Sequence, residues 1–311
     1  MDMHLTTSGA FGDHGIVSER YSVPTVRIQT CNAKPVDASR DFVLYWMIAN
    51  RRRGWSFALQ RAVHWAVELR KPLLVVEALS CTYPWASARL HTVVLQGMRE
   101  NLRRFHDSTA RYFPYVERFP SQGKGMMHAL AEHSCIVVTD DFPAFEIPRW
   151  IAAVAVRSPV CVEKVDTNGI FPMRAANRLF VTAHSFRRFL QKALPPHLDH
   201  FPLADSLAGV DLPAAVVPSF LQKGWSPATM NELAEPEILA ASLPVDQSVH
   251  PVHGFTGGSA AARERLKHFV RHGLKCYAES RNQPEADSSS GLSPYLHFGH
   301  ISAHEVFRAV A

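Results

Sequence analysis

Four short, almost wholly apolar runs punctuate the first half of the chain: Phe42–Met47, Leu73–Leu79, Cys135–Thr139 and Val160–Val165. Runs of this length without polar alternation belong to strands buried on both faces of a sheet. Between the first two, Trp55–Leu69 places Trp55, Leu59, Ala62, Val63, Ala66 and Val67 on one helical stripe; after the second, Leu90–Phe105 does so with Val94, Leu95, Met98, Leu102 and Phe105. Strand alternating with helix predicts an α/β unit, a parallel sheet with helices on both faces, whose ligands bind beyond the carboxyl ends of the strands. The strand Phe42–Met47 leads into Ile48-Ala49-Asn50-Arg51-Arg52-Arg53 where a glycine-rich dinucleotide fingerprint would stand. An ordinary nicotinamide enzyme is therefore not expected.

Residues 1–38 carry Gly9, Gly12, Gly15, Pro24 and Pro35 without a sustained period and are expected to form an N-terminal tail. The α/β unit is expected over 39–173, a helical and extended connection over 174–255, and the first helices of a second domain over 256–311. In the connection a helix is predicted over Ala175–Leu194, stopped by Pro195-Pro196. The second domain opens at Gly257-Gly258-Ser259, with Ser259 as helix cap and Leu266, Phe269, Val270, Leu274 and Tyr277 at helical spacing.

Length and composition agree with two domains of roughly 100–200 residues each. A net charge of +5 gives a mild positive field suited to a polyanion. Five scattered cysteines, none in a Cys-x-x-Cys pair, point away from a disulfide framework or a thiolate metal site. With no secretory pattern and no apolar run of membrane-spanning length, a cytoplasmic protein without membrane attachment is expected.

The richest chemistry lies at Tyr277, Arg281, Asn282 and Ser288-Ser289-Ser290-Gly291-Leu292-Ser293-Pro294-Tyr295-Leu296-His297-Phe298-Gly299. Small hydroxylic residues and free amides converge on a proline-led helix start, a combination that suits a phosphate or pyrophosphate. Chemistry alone leaves a second reading open, a serine-rich turn before a well-capped helix.

This whole segment resembles the flavin-binding segment of the photolyase and cryptochrome family. The resemblance extends over about residues 40–311. Asp41–Met47 with Arg51–Arg53, Ala58-Leu59, Pro72–Val76 and Leu243–Val252 are similar to class II cyclobutane pyrimidine dimer photolyases, while Val165–Pro172 departs from the class II wording. The resemblance implies a Rossmann-like domain followed by an all-helical flavin domain, and light-driven electron transfer from reduced flavin that splits pyrimidine dimers in UV-damaged DNA. It implies that Tyr277, Ser289, Ser290, Gly291, Leu292 and Ser293 hold FAD and that Arg281 faces DNA. An antenna chromophore, deazaflavin or folate, is a further expectation, as is a monomer. The family residues that complete the flavin pocket have no counterpart here. A truncated member with weak flavin retention is expected, and no catalytic residue can be named. A non-catalytic chromophore-binding or cryptochrome-like light sensor, or an inactive fragment, are the alternatives.

Other features have plainer readings. Asp140-Asp141 is expected to be a solvated turn with a helix cap, and the six tryptophans to be core. Arg51-Arg52-Arg53 is expected to be a solvated or peptide-contacting patch, and Gly123-Lys124-Gly125 a turn. His197-x-x-His200 and His250-x-x-His253 lack nearby thiols, and no metal site is expected.

Overall fold

The computed structural model describes residues 19–285 and 288–311. Six strands form one sheet in the order β1-β6-β5-β2-β3-β4: β1 (Ile28–Thr30), β2 (Phe42–Met47), β3 (Leu73–Leu79), β4 (Arg111–Val116), β5 (Ser134–Asp140) and β6 (Val162–Val165). All neighbours are parallel except β1, which runs antiparallel to β6. Chain order reverses between β2 and β5, whose register sets Val43 opposite Ile136 and Trp46 opposite Thr139. That reversal leaves a crevice at their carboxyl ends, the usual ligand position in such sheets.

Alternation along the strands divides the core into two apolar layers. Val43, Tyr45, Met47, Val75, Ile136 and Val138 face α1 (Phe57–Leu69). Leu44, Trp46, Val76 and Val137 share the opposite layer with residues of α3 (Met126–His133) and α4 (Ile147–Arg157). Between α1 and α3 in chain order lies α2 (Ala88–Phe105). Ser56 and Ser87 cap α1 and α2, each accepting from the amide three residues on.

Residues 1–18 of the expected tail lie outside the described residues. The remainder is packed: Tyr21 and Val23 are in the core, and β1 closes one sheet edge. Strand β4 was hidden by Pro114, which is tolerated because β4 is the other edge. There the Ala228 amide donates to the Pro114 carbonyl.

The predicted helix over 175–194 is shorter, α5 (Ala183–Ala193), because Thr182 caps it by accepting from Ser185 N. Three short helices follow, α6 (Ser219–Gly224), α7 (Met230–Ala234) and α8 (Pro236–Ala241). Leu233, Leu239, Ala240 and Leu243 bury the Val94, Leu95 and Met98 side of α2. The helical part then begins with α9 (Ser259–His268), which runs through a π-turn, Phe269–Gly273, into α10 (Tyr277–Ser280). Its cap is Gly258 at φ 100°, not Ser259, which is the first helical residue and makes no capping bond. Two further helices, α11 (Ser293–His297) and α12 (Ala303–Val310), complete the described chain. None of the described helices is long and apolar enough to cross a membrane.

Candidate functional site

At the carboxyl ends of β2, β3 and β5 the crevice opens into two adjoining lobes of about 300 and 540 Å³. The first is aromatic. Tyr83, Pro84 and Trp85 follow β3, Phe142 and Phe145 follow β5, Trp150 comes from α4, and His297 and Phe298 reach in from the helical part. The Phe145 ring meets both Trp85 and His297 edge-on, with centroids 5.9 and 5.7 Å apart. The second lobe is more polar, with Ser80, Thr82, Tyr115 and Glu117. Burial pushes the Glu117 carboxyl up, but hydrogen bonds from Ser80 Oγ, Cys81 N and Gly123 N outweigh it and leave the pKa lowered. The Tyr115 hydroxyl is buried without a partner, and burial together with Glu117 pushes it up to about 12. Apolar walls with a few convergent polar groups make this lobe pair suited to a planar heteroaromatic ligand.

The floor of the crevice is fixed by Asp140, which is neither solvated nor a cap. One carboxylate oxygen accepts from Ile48, Ala49 and Asn50 N at 2.8–2.9 Å, and the other from Tyr45 Oη at 2.8 Å. Asp141 is also buried and pairs with Lys164 and Arg174. Of the two readings expected for Arg51, Arg52 and Arg53, a solvated or a peptide-contacting patch, the structure shows the second, with ion pairs added. Arg51 pairs with buried Glu77 at 3.0 Å, Arg53 with Asp205 at 2.9 Å, and Arg52 donates to Asn50 Oδ1 and to the carbonyls of Trp55 and Gly299. Burial lowers Arg52 to about 10, which leaves it charged near neutrality. It thereby ties the sheet to the segment after α11.

The described residues of the segment, 277–285 and 288–293, line neither lobe. Ser289, Gly291 and Ser293 are exposed, Ser290 is half-buried, and Leu292 is buried among Ala262, Leu266, Tyr295 and Ile301. Gly291 sits at φ 63°, and a Cβ there would come within 2.5 Å of Arg265 Nε. The left-handed backbone favours glycine, and a Cβ would also push the Arg265 head from its place. Arg265, on α9, donates to the carbonyls of Ser290 and Ser289 at 2.8 and 2.9 Å, so a fixed cation stands behind the turn. Tyr277 meets Phe269 edge-on at 5.3 Å, and the exposed Arg281 guanidinium lies 5.9 Å from the Tyr277 ring centre. Helix α11 has five residues, so its dipole is small, and the polar groups at the turn are the serine hydroxyls, the backbone amides and Arg265.

The chain is 27% identical over 280 residues to the deoxyribodipyrimidine photo-lyase of Methanothermobacter thermautotrophicus, a match covering 89% of this chain and 57% of that protein. It superposes on the crystal structure of a bacterial class III photolyase from Agrobacterium tumefaciens with a TM-score of 0.62 at 18% identity, over 87% of this chain and 53% of the other. The chain has a photolyase fold. A second photolyase structure, that of Sulfolobus tokodaii with two FAD molecules, for which a novel light-harvesting cofactor is implicated, gives 0.53 at 12% identity over 86% and 54%. No protein-family model matches. The sequence and fold likenesses support the photolyase family, and the chain spans about half the length of the curated relatives it matches.

Within this photolyase fold, sequence reasoning missed the aromatic crevice. Trp85 and Trp150, expected in the core, are 60% and 38% exposed at its mouth. The usable signal was positional: Tyr83-Pro84-Trp85 and Phe142-Pro143-Ala144-Phe145 closely follow the apolar runs that became β3 and β5. Arg265 gives no signal in the sequence either, because its tie to a turn 25 residues away leaves no local pattern.

Proposed function

We propose that this chain is the sheet-bearing part and first flavin-binding helices of a class II deoxyribodipyrimidine photolyase that acts on UV-damaged DNA as a cytoplasmic monomer. The proposed divisions are an α/β domain over 39–173, a connection over 174–255 and the opening of the flavin domain over 256–311. The observation that carries this reading is the turn 288–293. It combines exposed serines, a glycine favoured by its left-handed backbone, and a cation held behind it by the turn's own carbonyls. These features fit a dinucleotide pyrophosphate: Ser289, Ser290, Gly291 and Ser293 would hold it, with Leu292 anchoring the turn and Tyr277 walling the site. When bound, reduced flavin supplies the photoexcited electron that opens a cyclobutane dimer. Arg281, exposed beside Tyr277, would meet the DNA backbone. The class II assignment rests on the wording of residues 41–53, 72–76 and 243–252.

The aromatic crevice supports an antenna site in the same protein, for a flavin, a deazaflavin or a folate, and equally favours the second reading, a non-catalytic chromophore binder. Quenching of FAD fluorescence by the purified chain separates the two. Saturation at ~10–100 µM, equivalent to roughly 5–7 kcal/mol, is expected, with at least a tenfold loss, about 1.4 kcal/mol, in Ser293→Glu. No saturable quenching up to ~1 mM would overturn the flavin assignment. Quenching untouched by Ser293→Glu but lost in Trp150→Ala would hand the function to the crevice.

A further inference from the structure

The longest one-sided charge run in the chain lies away from both sites. Residues 167–198 contain no Asp or Glu but carry Arg174, Arg178, Arg187, Arg188 and Lys192. Arg174 is paired with Asp141. The other four are exposed or half-exposed, and none forms an ion pair among the described residues, whereas Arg27, Arg51, Arg53, Arg61, Arg118 and Arg263 are all paired with carboxylates. Three of the four, Arg178, Arg188 and Lys192, line one open recess of about 450 Å³ with Ser185, Phe189 and Ala193.

The platform under these cations is ordered by packing. Thr182 caps α5, and Phe189 meets Phe180 and Phe171 at centroid distances of 4.8 and 5.8 Å. Ser185, Arg188 and Lys192 fall on one helical face, with Lys192 one turn, about 6 Å, beyond Arg188. Cations strung along an axis suit a chain of phosphates more than one phosphate.

We propose that α5 and the loop before it form a sequence-independent binding surface for the phosphodiester backbone of nucleic acid, separate from the 277–293 turn and independent of the flavin reading. Charge complementarity selects this partner. Phe189, Leu190 and Ala193 of α5 are half-buried against the fold, which interrupts the apolar face of the helix, but Leu179, Val181 and Phe186 are exposed beside the cations, so an anionic membrane is the competing partner and the vesicle arm of the test separates the two.

The test is fluorescence anisotropy of a short undamaged DNA duplex with the flavin-free 311-residue chain, over a series of salt concentrations. Arg178→Ser/Arg188→Ser/Lys192→Ser is expected to weaken binding at least tenfold at low salt and to flatten the slope of log K against log salt by about 2–3, at about 0.9 for each phosphate no longer neutralised. The same removal of charge at exposed Lys34, Arg157 and Lys223 is expected to leave the slope near that of the parent. Urea midpoints of both triples should match the parent, and Arg188→Lys should retain the slope. Equal effects of the two triples, no binding by the parent at low salt, or loss of phosphatidylserine-vesicle binding with DNA binding intact would each overturn the proposal. Because FAD is not the probe, failure here leaves the flavin reading untouched.

Discussion

Two imidazoles show how single residues make this fold depend on pH. His300 Nδ1 accepts the Gly258 amide, so its hydrogen resides on Nε2, which is buried without an acceptor. His304 packs edge-on to Phe57 and Phe201, and its Nε2 is also buried and unpartnered. Burial, then Arg51 and Arg52, pushes His300 down to about 3; burial, then Arg27 and Arg52, does the same to His304. Both are neutral when folded and bind a proton when unfolded below the ordinary value of about 6.5. Stability is thus complete above that value and falls as pH drops from 6.5 towards 3, by about 1.4 kcal/mol per pH unit for each histidine. Urea midpoints at pH 7, 6 and 5 should fall in the parent, and His300→Gln should remove one proton's share of that slope. An unchanged slope would mean that His300 is protonated in the folded protein.

Among the elements, α2 holds the two parts together. Its Val94, Leu95 and Met98 side was legible because apolar residues recur at helical spacing, and it is indeed buried. A second buried surface was not legible, because it is built from polar and small residues: Gln96 accepts from Gly257 N, Glu100 accepts from Ala260 N, and Gly97 faces the His300 ring. Hydrophobic periodicity cannot register a helix whose other side is buried by hydrogen bonds and close approach. The strands β2, β3, β5 and β6 were legible for the opposite reason, since burial on both faces leaves mostly apolar side chains. In the candidate site, the serines and glycine were visible as a motif, whereas Arg265 behind them and the aromatic crevice depend on neighbours distant in sequence. A Cβ at Gly97 would lie 2.3 Å from His300 Nε2, and the ring is held in place by its Gly258 bond. Gly97→Ala should therefore cost about 1–3 kcal/mol, the usual range for overpacking, despite alanine's better helix propensity. A urea midpoint at or above the parent value would show that the ring moves aside freely.

At the scale of the molecule, the crevice is shared property. Its walls on the sheet side come from loops after β2, β3 and β5 and from α4, but His297 and Phe298 belong to the helical part, and the adjoining Gly299 packs where a Cβ would lie 2.0 Å from the Ala49 carbonyl oxygen. A ligand in the aromatic lobe would therefore touch both sides of the junction and be linked to its closure. Binding to the folded form alone stabilises it by about 2.7 kcal/mol at a hundredfold excess over Kd. Riboflavin, which has the planar ring without the pyrophosphate, should raise the parent's urea midpoint while bypassing the 288–293 turn. That rise should disappear in Trp150→Ala, which strips one wall on the sheet side, and in Phe298→Ala, which strips one on the helical side. Equal losses from substitutions on opposite sides of the junction are the signature of one ligand spanning both. If riboflavin leaves the midpoint unmoved, the crevice is not a site for an isoalloxazine ring. A rise that persists in both variants would place the ring elsewhere.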